Sequence, residues 1–382
     1  MGAYILRRLL LIIPTLLGIM IINFALIQLV PGGPIEQIIS QMEGEGDVFQ
    51  GIAGGGDVGE GMGGEERYVG ARGLPQEFLD ELEVQMGFSR IVCAEGFTGE
   101  PAFDAPECEV EPIPPLERFL ILMGNYLTFD FGESYFRSID VVDLVIEKMP
   151  VSITLGLWST VIAYLISIPL GIRKAVKDGS PFDTWTSGAI ILGYAIPGFL
   201  FAVLLLVLFA GGSYFKWFPL RGLTSDNWEE LTMLGKVADY FWHISLPVLA
   251  STISSFATLT LLTKNSFLDE IKKQYVITAK AKGLSEGGVL YGHVFRNAML
   301  IIIAGFPGLF ISVFFGASII IETIFSLDGL GRLGFEAAVA RDYPVIFATL
   351  YVFGLIGLLV GLLSDLMYVL VDPRIDFESR ET

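Results

Sequence analysis

Histidine and cysteine are scarce in this chain, with two of each among 382 residues. Charged side chains are also few, at 17% of positions against 53% hydrophobic residues. Each shortage removes a class of chemistry. His243 and His293 lie fifty positions apart, and the spans derived below place them on opposite sides of a membrane, so they cannot share a metal or an acid–base site. No G-x-x-x-x-G-K-[ST] phosphate loop occurs, since Gly235-Lys236 is followed by Val237 and lacks the upstream glycine. G-x-S-x-G and H-E-x-x-H are absent as well. The expectation is a protein that is not an enzyme and holds no cofactor or metal of its own.

What is present in quantity is apolar length. About 20 helical residues cross a bilayer, and six mostly apolar runs reach that scale: 9–30, 151–172, 184–211, 245–263, 298–321 and 346–370. The fourth is diluted by Thr252, Ser254, Ser255, Thr258 and Thr260, short polar groups that suit helix–helix contacts or a cavity wall. With the N-terminus inside, the inner segments hold 13 of the 24 Lys and Arg in 65 positions, and the outer segments hold 11 in 177. Both termini are therefore expected in the cytoplasm. The first run is too long for a cleaved leader and is followed by Pro31-Gly32-Gly33-Pro34, so it reads as an anchor.

The net charge of −18 has one source. Positions 32–147 carry 24 acidic and five basic residues, and the rest of the chain is close to neutral. An acidic external loop argues against nucleic acid as a partner and reads as a solvated surface or a face for a basic partner. Within it, 43–66 is an acidic Gly-rich stretch, and 75–89 reads as an amphipathic helix with Phe78, Leu79, Leu82 and Met86 on one face and Gly87 as its stop. A second helix is expected around Leu116–Leu127. Cys93 and Cys108 lie in the same loop. An even count outside the cell suits a disulfide, with a closure worth about 3 kcal/mol. Two free thiols remain the alternative, and no histidine nearby supports a metal site.

Several polar or small residues fall in or near the spans. Asp365 reads as a helix–helix hydrogen bond or a group near the inner interface, with a functional role as the alternative. Glu322 is expected to contact an external loop, Gly357 and Gly361 to allow close helix packing, and Pro169 and Pro197 to kink their helices. Between spans four and five, 264–297 emerges on the cytoplasmic side. A helix over 267–282 ends at Gly283, which suits a left-handed cap, and Ser285 suits the N-cap of a second helix in which Leu290 and Val294 share a face. Ala279 and Gly283 leave a shallow patch between Lys280 and Lys282. Nothing catalytic is offered there; a contact surface is.

The stretch "YVITAKAKGLSEGGVLYGHVFRNAML" resembles the cytoplasmic EAA loop of permease subunits from binding-protein-dependent ABC importers, in the peptide-importer form. Ile277 and Thr278 stand where Glu and the first Ala are usual, while Ala279 and Gly283 keep the pattern. "DFGESYF" at 130–136, "MPVSITLGLWS" at 149–159, "IETIFSLDGLGRLG" at 321–334, "RDYPV" at 341–345 and "VDPRIDF" at 371–377 extend the resemblance in family order. "PGGPIEQ", "PLGIRKAVKDGS" and "LTKNSFLDEIKKQYV" bring it nearest to the branch that imports oligopeptides and the antibiotic microcin C. The departure is an insertion of about 22 residues after "MGFSR" that carries both cysteines.

The resemblance implies an all-α polytopic membrane protein of the bacterial inner membrane, with a six-helix MetI-like permease core. Its parts would be an N-terminal end and first span at 1–30, an external loop at 31–150, a core at 151–372 and a cytoplasmic tail at 373–382. The implied partners are a second, non-identical six-helix permease, a cytoplasmic ATPase with two nucleotide-binding domains that holds the ATP and Mg, a periplasmic binding protein, and a peptide substrate. Thr278, Ala279, Lys280, Ala281, Lys282 and Gly283 would form the ATPase-coupling surface, braced by His293, Arg296 and Asn297. An oligosaccharide or nickel permease is the alternative cargo class, and a receptor or scaffold the alternative function.

Overall fold

The computed structural model describes residues 2–42, 68, 75–94, 103, 108–211, 214–311 and 318–371. The acidic stretch 43–66 and the tail 373–382 lie outside the described residues. In chain order the helices are α1 (Gly2–Leu29), α2 (Pro34–Met42), α3 (Gln76–Gln85), α4 (Pro115–Leu127), α5 (Val141–Val176), α6 (Pro181–Ala195), α7 (Gly198–Phe209) and α8 (Met233–Ile271). They continue with α9 (Gln274–Ala281), α10 (Glu286–Val289), a π-turn at Leu290–Val294, α11 (Phe295–Ala304), α12 (Phe306–Ile311), α13 (Ser318–Ile324), α14 (Leu330–Ala340) and α15 (Tyr343–Val371).

Among the described residues, four helical stretches are long and apolar enough to cross a membrane, and six if each of two bent pairs counts as one span. The first bent pair is α6 and α7, turned by 91°. Ile196 before Pro197 is extended, at φ −81 and ψ 121, because a proline ring disfavours helical backbone in its predecessor. Pro197 therefore breaks the helix, as expected, whereas Pro169 lies within the uninterrupted α5. The second pair is the two halves of α8, bent by 50° around residue 254 among the Ser and Thr noted above. The fifth stretch differs from its expected position. Its long apolar helix runs Glu286–Ala304, taking in residues assigned by sequence to the cytoplasmic connection.

The chain divides into two compact units. One comprises Met1–Thr15, Lys148–Leu333 and Phe353–Thr382. In it Val151, Leu155, Ala202, Leu205, Ile244, Val248 and Phe325 form one buried apolar cluster. Asp365 accepts a hydrogen bond from Tyr4 Oη at 2.8 Å and pairs with Arg8 at 2.8 Å, so this membrane carboxylate ties α15 to α1. Glu322 is fully buried. It accepts from Ser152 Oγ at 3.0 Å and from the Arg332 N–H at 2.7 Å, while Ser152 Oγ accepts from the Leu330 N–H. The expected contact with the following loop is thus made by a carboxylate that satisfies loop backbone, which is what buried charge requires. Among the described residues nothing lies within 4 Å of where a Cβ on Gly361 would sit, so it makes no close packing with them.

The other unit comprises Leu16–Glu147 and Gly334–Val352. Leu79, Leu82 and Met86 of the α3 region bury against Ile35 and Ile39 of α2, and Gly87 stops α3 at φ +71. An antiparallel ribbon, β1 (Ser89–Cys93) and β2 (Cys108–Pro112), was not foreseen and adds a strand pair to the mostly helical described residues. Its register places Cys93 opposite Cys108, and the two form a disulfide. Ser134 Oγ donates to Asp342 Oδ2 at 2.5 Å and the Tyr135 N–H donates to Asp342 Oδ1 at 3.2 Å. The "DFGESYF" and "RDYPV" stretches, remote in sequence, therefore meet through one carboxylate.

Candidate coupling hairpin

The polar connection folds as two short helices because its caps are built in. After α8, Lys273 restarts the backbone as the N-cap of α9. Gly283 closes α9 at φ +83, a conformation glycine adopts without the Cβ penalty, and the Leu284 N–H bonds back to the Ala279 carbonyl at 3.3 Å. Ser285 Oγ accepts from the Gly288 N–H at 3.2 Å and starts α10, with Glu286 in its first turn. The π-turn then carries the chain into α11.

One face of this hairpin is a packing surface. Val276, Ala279, Val289, Val294, Ala298 and Met299 are buried with Ala163, Ile172 and Ala175 of α5 and Phe267 of α8. Ser266 Oγ donates to the Ala298 carbonyl at 2.7 Å, and Phe267 meets Phe295 edge to face. Tyr275 Oη donates to Glu270 at 2.7 Å, and Lys273 pairs with the same carboxylate. Burial raises the Tyr275 pKa; a hydrogen bond with Asn297 opposes this, and the bond to Glu270 reinforces it.

The other face is open. Thr278, Lys280, Ala281, Lys282 and Gly283 are exposed, and a Cβ on Gly283 would meet nothing within 4 Å. Ala279 departs from the expected shared patch with Gly283. It is 7% exposed and turned inward, because it sits three residues after Val276 on the apolar face. Two apolar residues outside the expected coupling surface, Ile277 and Leu284, are exposed on the tip instead. Their signal was available: neither falls on the buried stripe. His293, Arg296 and Asn297 are also exposed, and of these Asn297 reaches the bracing tyrosine.

The hairpin's base is tied by charge. Lys264, near the end of α8, pairs with Asp183 Oδ2 at 2.7 Å and Asp178 Oδ1 at 2.9 Å. Lys174 at the end of α5 is fully buried. Its ammonium donates to the Asp183 carbonyl at 3.0 Å, Thr186 Oγ1 at 2.8 Å and Ser187 Oγ at 2.7 Å, and lies 3.0 Å from Asp183 Oδ1. The Gly179 N–H completes the Asp183 shell at 3.2 Å. Beside this network α5 and α8 touch at Gly171, where a Cβ would come within 2.6 Å of Thr263. Nothing in local sequence marked this tether, since Lys264 and Asp183 lie 81 positions apart.

Taken together, the arrangement holds an outward polar tip on a charge-anchored base, with no metal-binding cluster among the described residues. A family profile described as "Binding-protein-dependent transport system inner membrane component" matches residues 167–377, which include the hairpin. The chain is 59% identical over 386 residues to the peptidoglycan transport system permease protein YejB of Agrobacterium fabrum (strain C58), covering 100% of both chains. It is 55% identical over 387 residues to the inner membrane ABC transporter permease protein YejB of Escherichia coli O157:H7, again covering 100% of both. Identity is 30% over 378 residues to the oligopeptide transport system permease protein AppB of Bacillus subtilis (strain 168), covering 99% of this chain and 100% of that one.

Proposed function

Because the chain belongs to the family of binding-protein-dependent transport system inner membrane components, we propose that it forms half of a peptide pathway and is driven through the hairpin at 274–297. It is a multi-pass inner-membrane permease subunit of an ABC importer and is not itself an enzyme. The observation that carries the coupling reading is the split character of the hairpin. Val276, Ala279 and Val289 lock it to the spans, while Ile277, Thr278, Lys280, Lys282 and Gly283 are left outside. An ATPase subunit that seats on this tip moves α8 and α11 with it, because both are packed on the same cluster.

In this reading ATP and Mg are held by the partner ATPase, a second, non-identical permease completes the pathway, and a periplasmic binding protein delivers the substrate. Both termini lie in the cytoplasm. The substrate class is short peptides. The name of one relative, a peptidoglycan transport system permease protein, extends it to peptidoglycan, and microcin C is a further cargo of this reading. The test is Gly283→Asp in the reconstituted importer. A side chain at φ +83 costs about 1 kcal/mol of backbone strain but meets open space, so insertion survives. The expected result is ATP hydrolysis without peptide uptake. Normal uptake would refute the docking role.

A further inference from the structure

The unit formed by Leu16–Glu147 and Gly334–Val352 contains a cavity of about 560 Å³, within the range that holds small ligands. Its wall is rich in aromatic rings, with Phe24, Phe88, Phe131, Tyr135, Tyr343 and Phe347 among the lining residues. Arg118, in the second turn of α4, also lines it. The Arg118 guanidinium stacks on Phe88, with Cζ 4.7 Å from the ring centroid, and Nη2 donates to Gln28 Oε1 at 3.1 Å. Its Nε is buried and has no hydrogen-bond acceptor among the described residues. Burial also pulls the Arg118 pKa below its ordinary value, and the nearby groups that act on it are the hydroxyls of Tyr135, Tyr343 and Tyr68.

A buried guanidinium N–H that no neighbouring side chain accepts is costly to keep unless something supplies the missing oxygen. Neutral Gln28 takes one Nη2 hydrogen, and the π face of Phe88 takes no N–H from the Nε edge. Carboxylates suit this gap, because a guanidinium edge binds carboxylate oxygens in a planar, charge-assisted contact. The surrounding rings suit an apolar or aromatic body attached to that carboxylate.

We propose that this cavity binds a small carboxylate with an apolar or aromatic body, with Arg118 as the residue that recognises the anion. The C-terminal residue of a short peptide presents this chemistry, and in that clause the inference rests on the peptide-import reading. Binding itself requires no transport, so the two can fail separately.

The probe is radiolabelled N-acetyl-phenylalanine, measured by equilibrium binding to the full chain in phosphatidylcholine nanodiscs. N-acetyl-phenylalaninamide, with the same body and no charge, serves as the paired control. The expected result is saturable binding of the acid, at least tenfold weaker binding of the amide, and loss of the preference in Arg118→Gln. Arg118→Lys, which keeps the charge but not the planar edge, should retain part of it, and thermal melting of each variant checks folding. Absence of saturable binding, equal binding of acid and amide, or an unchanged preference in Arg118→Gln would overturn the proposal. A third arm uses nanodiscs containing phosphatidylglycerol. If that lipid abolishes binding of the acid, the anion site belongs to a lipid headgroup and the small-carboxylate assignment is wrong; undiminished binding supports it.

Discussion

Replacing Lys264 by Met tests whether the tether at the hairpin base carries energy. The lysine holds Asp183 at 2.7 Å and Asp178 at 2.9 Å, and the two pairs are unequal. Asp178 is half exposed, so its share is at most about 1 kcal/mol. Asp183 is 8% exposed, and breaking a buried pair costs about 3–5 kcal/mol when the remaining charge is orphaned. Here it is not orphaned, because Lys174 and the Gly179 N–H still face it. The loss therefore falls to about 2 kcal/mol, below the range for an orphaned charge. That corresponds to about a 30-fold shift in the local opening of the α5–α6 turn. Hydrogen–deuterium exchange of the full chain in nanodiscs should show amides of 179–187 and 264–271 exchanging faster by about that factor, with Lys264→Arg close to wild type. In the reconstituted importer, peptide moved per ATP should fall while hydrolysis continues. Unchanged exchange in Lys264→Met would show that the tether carries no energy. Faster exchange with an unchanged transport ratio would show that the tether is not part of coupling.

Gly329→Ala should destabilise the chain in detergent melts, because its Cβ would lie 2.2 Å from the Glu322 carboxylate, which Ser152 and Arg332 hold in place. Gly171→Val should be at least as damaging, since Thr263 and the Thr260 carbonyl leave no room; normal expression and melting would contradict the α5–α8 contact. Alkylation mass spectrometry without reduction should find Cys93 and Cys108 unmodified, and Cys93→Ser should cost about 3 kcal/mol by the loop-closure estimate. Burial raises the Asp342 pKa, opposed by hydrogen bonds from Ser134 and the backbone and by Arg137. A raised value means the folded form prefers the proton, so this group's contribution is full below the ordinary Asp range and declines as pH rises through the raised pKa. Asp342→Asn should flatten that segment of the pH–stability curve, and an unchanged slope would refute the assignment.

Local periodicity made α3 readable: Leu79, Leu82 and Met86 recur at helical spacing and are buried together. Gly283 and Ser285 were equally legible, because a positive φ and an N-cap each demand a particular residue type. The ribbon was not legible. Five-residue strands such as "SRIVC" give too short a pattern to separate from a loop, and their pairing is fixed across a gap. The inward turn of Ala279 was missed because a small residue reads equally well as an open patch or as close packing; Val276 and Val289 decided it. The Lys174–Asp183–Lys264 tether was invisible because each charge, alone, looks like a solvated loop residue.

The stretches that most resemble the family divide by what they do. Ser134 with Asp342, and Ser152 with Glu322 and the backbone at Leu330 and Arg332, are buried, and their hydrogen bonds are spent inside the fold. Such residues fix one arrangement of the elements they join. The hairpin tip is the opposite case. Lys280, Lys282 and Gly283 contribute nothing to the apolar cluster beneath them, and Ile277 and Leu284 expose apolar surface beside two charges. That composition leaves the tip free to meet another surface without disturbing the packing beneath it. The buried polar stretches act as locks within each unit, and the exposed tip is the surface to which the proposed coupling role is assigned.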